Sequence, residues 1–159
     1  ILIINSHQRD RFADKIKSLI INKSLINNIC ILGWSFKKNT NDTRESAAIY
    51  VAYNLIKSKF HLNIYDPKVQ ENQIFFDLNY VNENQIKIKE YANVYNNHLD
   101  CINKINVIAI ITEWDEFRNY NWVNIYEKMN KPAYIFDGRN ILDRKKLESI
   151  GFNYIGIGR

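Results

Sequence analysis

Asn28-Ile29-Cys30-Ile31-Leu32-Gly33 is followed, from about Arg44 to Lys59, by Ala48, Val51, Ala52 and Leu55 at helical spacing, and then by Leu62-Asn63-Ile64-Tyr65. The first run is too short and too β-branched for a helix, and it does not alternate, so it reads as a strand buried on both faces. The second is an amphipathic helix with one apolar stripe. The third is a strand halted by Asp66-Pro67. Strand, helix and strand at this spacing form a βαβ unit, whose two strands lie parallel in one sheet with a right-handed crossover.

The same alternation continues outward. Downstream, Tyr95, Leu99 and Ile102 mark a helix, and Asn106 to Ile111 is the strongest strand signal in the chain. Asn121 to Met129 reads as a helix and Ala133 to Phe136 as a strand. Asp143 caps a helix that runs to Ile150 and stops at Gly151, before a last strand over Asn153 to Ile157. Upstream, Asn5 or Ser6 caps a helix that carries Phe12, Ile16, Leu19 and Ile20 on one face. Ile86 and Ile88 alternate with lysines and suggest an edge strand. The stretch from Lys68 to Glu90 is otherwise the least regular and is expected to wrap the surface. About six strands joined by helices predict an α/β fold: a doubly wound parallel sheet with helices on both faces.

Composition narrows the function classes. The chain has 159 residues, 46% hydrophobic and 25% charged, which fits one ordered domain and not a disordered segment. Cys30 and Cys101 cannot make a disulfide framework or a zinc site, so a reducing, cytoplasmic setting is expected. Lys and Arg outnumber Asp and Glu by 22 to 17, a balance of +5 that suits an anionic ligand. The sequence has no basic run to suggest a nucleic-acid partner and no apolar stretch long enough to suggest a membrane span. Ile1 stands where a start methionine would, which leads us to expect a piece of a larger product.

In a doubly wound sheet, ligands bind beyond the carboxyl ends of the strands, where strand order reverses. The loop after the first strand, Gly33 to Ser46, holds one glycine and is not a GxGxxG pyrophosphate cradle. It places Lys37, Lys38 and Arg44 beside a helix N-terminus, an arrangement that favours an anion, although lysines in a polar loop are also commonly just solvated. Asp42 and Glu45 have the spacing of a capping box. After the central strand, the carboxylates of Thr112-Glu113-Trp114-Asp115-Glu116-Phe117 are either an acid/base pair or, as we favour, the opening of a helical turn with Trp114 and Phe117 packed down. Phe136-Asp137-Gly138-Arg139-Asn140 carries Arg139 at a strand end, free to grip phosphate or sugar hydroxyls or else held by Asp137. Cys30 reads as an inert core thiol, and Cys101 has no histidine partner. His7, His61 and His98 share no ligand spacing, and Arg144-Lys145-Lys146 is a solvated helix face. No catalytic constellation is visible.

Several of these segments together resemble one family. Gly33-Trp34-Ser35-Phe36-Lys37-Lys38-Asn39-Thr40-Asn41-Asp42-Thr43-Arg44-Glu45-Ser46 is similar to the Gly-aromatic-x-Phe-Lys-x-x-Thr-x-Asp-x-Arg-x-Ser segment of the UDP-glucose 6-dehydrogenases, within the UDP-glucose/GDP-mannose dehydrogenase family. Tyr65-Asp66-Pro67, Thr112-Glu113-Trp114-Asp115 and Phe136-Asp137-Gly138-Arg139-Asn140 follow in the family's order, and Asn5 to Phe12 resembles the approach to its last domain. The forms are most similar to the animal and plant branch. The resemblance implies a Rossmann-like, C-terminal UDP-binding domain over residues 25–159, with residues 1–24 as a lead-in helix from a central region. It also implies NAD-dependent oxidation of UDP-glucose to UDP-glucuronate by a homo-oligomer, a dimer or hexamer. The family's GxGxxG domain for NAD and its cysteine nucleophile have no counterpart in these residues. Phe36, Lys37 and Arg139 match UDP-sugar contacts, and Arg44 matches a residue that reaches the NAD side. The chain alone is accordingly expected to be inactive.

Trp34 and Ser35 replace a common Phe-Ala pair, and Asn41 stands where glycine is frequent, where Asn can keep a left-handed turn. Two other readings stay open: a sister enzyme acting on UDP-N-acetylmannosamine or GDP-mannose, and a stand-alone UDP-sugar-binding module without redox chemistry.

Overall fold

The computed structural model describes residues 5–157. Six strands form one parallel sheet: β1 (Asn28–Leu32), β2 (His61–Tyr65), β3 (Ala92–Val94), β4 (Val107–Ile110), β5 (Tyr134–Asp137) and β6 (Asn153–Gly156). Their order is β3-β2-β1-β4-β5-β6, so strand order reverses between β1 and β4. Register is continuous across that point, with Cys30 beside Ile108 and Leu32 beside Ile110.

The alternation of side chains along each strand divides the core in two. Ile31, Ile64 and Ala109 point toward one face, against Phe12 and Ile16 of α1 (Ser6–Asn22), Val51 and Leu55 of α2 (Ala47–Lys57), and Ile74 and Leu78 of α3 (Glu71–Tyr80). Cys30, Leu32, Ile108 and Ile110 face the other way. They meet Ile102 of α4 (His98–Ile102), Phe117 of α5 (Asp115–Arg118), Trp122 of α6 (Trp122–Lys128) and Leu147 of α7 (Arg144–Ile150). Asn5 caps α1 through a reciprocal box with Gln8, and Asp143 caps α7 by accepting from the Lys146 amide. Gly151, at φ 130°, ends α7.

Four local expectations need correction. The second helix starts at Ala47 under a Ser46 cap, not near Arg44 under an Asp42–Glu45 box. Asp42 instead spends its carboxylate locally, on the amide and guanidinium of Arg44, and Glu45 sits at φ 58°, outside helical geometry. The irregular stretch contains α3, whose buried stripe is short because Phe76 and Tyr80 are exposed and blur the period. The edge strand is β3, while Ile88 lies in a 3₁₀ turn over Ile88–Glu90 and buries its side chain there. Tyr95 follows β3, and α4 begins only at His98.

Candidate functional site

The crevice is built from the three loops that leave β1, β4 and β5 at their carboxyl ends. Gly33 follows β1 at φ 99°, and a Cβ there would sit 2.6 Å from the Thr112 Cβ and 2.7 Å from its amide nitrogen. Only glycine satisfies both the backbone angle and the contact. Trp34 and Ser35 come next and are buried. The Trp34 indole donates to Asp77 Oδ2 at 3.0 Å, and the Ser35 hydroxyl donates to the Lys37 carbonyl at 2.8 Å. Both bonds depend on the residues that depart from the Phe-Ala pair. Phe36 and Lys37 then emerge at the rim, Phe36 with 48% of its surface exposed. The Phe36 amide donates to the Asp42 carbonyl at 2.7 Å, closing the loop. The left-handed position of this turn is Asn39, at φ 62°, and not Asn41.

Thr112 joins the β4 loop to the β1 loop by donating its hydroxyl to the Ser35 carbonyl at 2.9 Å. Glu113 joins the β4 loop to the β5 loop, because its Oε2 accepts from Arg139 Nη2 at 3.1 Å. The Arg139 side chain is 9% exposed and that of Glu113 17%. Asp137 is therefore not the partner of the Arg139 side chain. Its own carboxylate accepts from the amides of Arg139, Ile141 and Leu142 and from the Tyr154 hydroxyl. Gly138 lets the turn approach the sheet, since a Cβ there would stand 2.6 Å from the Ile110 carbonyl. Glu113 Oε1 is buried and takes no hydrogen bond.

Asp115 and Glu116 open α5, and Trp114 and Phe117 pack down beside them, as favoured from sequence. Asp115 lies 3.7 Å from Lys38 Nζ and also binds Arg118. Glu116 accepts from the hydroxyls of Tyr65, at 2.8 Å, and Tyr120. His98 stacks on Tyr120 with ring centroids 3.8 Å apart. Burial, and then Glu116, push both tyrosine pKa values up; burial pulls that of His98 down against the opposing pull of Glu116. This cluster had no signal in the sequence, because Tyr65 and Glu116 are 51 positions apart.

Arg44 projects from the far limb of the β1 loop with its side chain 89% exposed. It holds Asp42 at 2.8 Å, and its hydrogen bonds lower the Asp42 carboxyl to about 2. It also borders a groove of about 430 Å³ between α2 and α3, flanked by Tyr50, Phe76 and Tyr80. Among the described residues no hydrogen bond or ion pair joins any two of Phe36, Lys37, Arg44 and Arg139; the loops that carry them are what is joined. Among the described residues no group of His, Cys, Asp and Glu could hold a metal ion. Cys30 and Cys101 are fully buried with sulfurs 2.8 Å apart, and burial pushes the Cys30 thiol pKa up, as an inert core thiol requires.

All three loops lie within the span of a family model. The model of the UDP-glucose/GDP-mannose dehydrogenase family, UDP binding domain, matches residues 30–144. The chain belongs to this family.

Among curated members, a UDP-glucose 6-dehydrogenase of Drosophila melanogaster is 42% identical over 161 aligned residues, spanning 100% of this chain and 34% of its own length. One from Caenorhabditis elegans is 43% identical, over 99% of this chain and 33% of its own. UDP-glucose 6-dehydrogenase 1 of Arabidopsis thaliana is 40% identical, over 98% and 35%. The chain thus spans about a third of the length of these relatives. Solved structures share the family fold at lower identity. A UDP-D-ManNAc dehydrogenase from Pyrococcus horikoshii superposes with a TM-score of 0.72 at 24% identity, over 98% of this chain and 32% of that one. An NDP-N-acetyl-D-galactosaminuronic acid dehydrogenase from Methanosarcina mazei gives 0.71 at 19%, over 96% and 29%.

Proposed function

We propose that this chain is the UDP-sugar-binding part of an NAD-dependent UDP-glucose 6-dehydrogenase, which oxidises UDP-glucose to UDP-glucuronate. The observation that carries this reading is 42% identity along the whole chain to an enzyme of that name. In this reading residues 25–159 bind the UDP-sugar and residues 1–24 lead in from a central region.

Lys37 offers its ammonium at the open rim to the diphosphate, and Phe36 sets a flat apolar ring beside it. Arg139 approaches from the β5 loop, where Glu113 orients its guanidinium and leaves the other N–H groups for the ligand. NAD, when bound, supplies the hydride acceptor. Arg44, which the family resemblance assigns to the NAD side, is an exposed cation held by Asp42, while the single glycine of the Gly33–Ser46 loop offers no pyrophosphate cradle. This chain contributes binding and orientation; the reacting groups belong elsewhere in the enzyme. We further propose a cytoplasmic homo-oligomer, a dimer or hexamer, acting on a small-molecule substrate and not on nucleic acid or a membrane. No helix among the described residues is long and apolar enough to cross one.

Calorimetric titration of the chain with UDP and GDP, with an NADH assay of the complete gene product, tests the reading. UDP is expected to bind and GDP not, the chain alone to reduce no NAD, and the complete product to prefer UDP-glucose over UDP-N-acetylmannosamine and GDP-mannose. Preference for either of the latter would assign a sister enzyme. A complete product that binds UDP without redox activity would be a binding module. In the active enzyme, Lys37→Ala or Arg139→Ala removes a charged contact of about 1.5–3 kcal/mol, raising KM roughly ten- to a hundredfold. Unchanged kinetics in both variants would overturn the site.

A further inference from the structure

Phe36 and Lys37 have few anchors of their own at the rim, yet the two residues before them are among the most heavily bonded in the chain. The reason is a single carboxylate. Asp66, at the tip of β2 and 6% exposed, accepts five hydrogen bonds. Oδ2 takes the Trp34 amide at 2.6 Å, the Ser35 amide at 2.9 Å and the Trp114 indole at 3.3 Å. Oδ1 takes the amides of Lys68 at 2.8 Å and Val69 at 3.0 Å. The carbonyls of the same two residues are held from the opposite side, Trp34 by the Ser46 hydroxyl at 2.7 Å and Ser35 by the Thr112 hydroxyl at 2.9 Å. Both peptide groups of this corner are therefore fixed at donor and acceptor alike.

In dinucleotide-binding sheets an acidic side chain near the end of the second strand commonly reads a ribose hydroxyl. Asp66 occupies such a strand end but has turned inward. A carboxylate offers about four lone-pair sites, and five donors already fill them. It has no capacity left for a ligand.

We propose that Asp66 is a positioning residue of the UDP site: with Thr112 opposite, it fixes the Trp34–Ser35 corner on which Phe36 and Lys37 are mounted. The proposal rests on the assignment of Lys37 to the UDP diphosphate. Rim side chains contribute affinity in proportion to how well the backbone under them is pre-set, so loosening the corner should erase what Lys37 contributes without touching the ligand directly.

The test is a double-mutant cycle on the 159-residue chain, with UDP as the titrant at a temperature where circular dichroism shows every variant folded. Asp66→Ala is expected to weaken UDP at least tenfold. Lys37→Ala, which weakens UDP in the wild-type background, is expected to have little further effect in the Asp66→Ala background. Ile105→Ala, which empties part of the core at the amino end of β4, opposite the crevice, supplies a comparable loss of Tm and is expected to bind UDP as the wild type does. Wild-type affinity in Asp66→Ala, or full additivity of the two substitutions, would overturn the proposal, and so would equal weakening in Ile105→Ala. If Asp66→Ala does not fold, Thr112→Val frees the same corner from its carbonyl side and takes its place in the cycle with the same two outcomes. Wild-type chain that binds no UDP would instead overturn the site assignment itself, and this proposal with it.

Discussion

Gly33 shows how one position can set a site. Its φ of 99° is open to glycine and strained for other residues, and Thr112 already occupies the space a side chain would need. Gly33→Ala therefore meets two separate penalties, a strained backbone and an overpacked contact, and is expected to lower unfolding free energy by about 2–4 kcal/mol in urea denaturation. A change under about 0.5 kcal/mol would mean that the β1 and β4 ends are not held as described. Lys37, Arg44 and Arg139 could be noticed in the sequence as cations in loops that follow apolar strands, and the roles proposed for them come from the family resemblance. Their partners could not. Glu113 lies 26 positions from Arg139 and Asp66 lies 32 from Trp34, and nothing local marks either pair.

Elements were legible where burial leaves a simple pattern. β1, β4 and β5 are buried along both faces and read as plain apolar runs, and α1 and α2 show their stripes clearly. β3 escaped because three residues with one exposed and one half-buried side chain carry almost no pattern. The start of α2 was misread because two N-terminal signals compete within five residues. Asp42 wins a local turn, while Ser46 wins the helix by accepting from the Ala48 amide. Ser46→Ala is expected to cost about 1–2 kcal/mol, the upper part of the range for a lost cap, because the same hydroxyl also holds the Trp34 carbonyl. Asp42→Ala, which breaks no helix cap, is expected to leave thermal stability at neutral pH nearly unchanged. The reverse ranking in a thermal melt would restore the earlier helix start.

For the whole molecule, acid is the informative perturbant. Burial lowers the pKa of His98 below its ordinary 6.5 in the folded state, so the unfolded chain binds more protons as pH falls through that value. The stability this group contributes is full above 6.5 and is lost as pH falls through the lower folded value. Asp42 shifts in the same direction, but it is exposed and solvent screens its pairing with Arg44, so its share of the acid response is small. Tm is therefore expected to decline from neutral pH toward about pH 5. His98→Phe keeps a ring on Tyr120 and removes the titration, so it should flatten that decline. An unaltered slope would place the titrating group elsewhere.

The contact between Gly33 and Thr112 also has a mechanical meaning. With no side chain between them, and with the Thr112 hydroxyl tied across to Ser35, the two halves of the sheet behave at the switch point as one stiff plate. The left-handed bends at Asn39 and Glu45 lie outside that plate, in the arm that carries Lys37, Lys38 and Arg44.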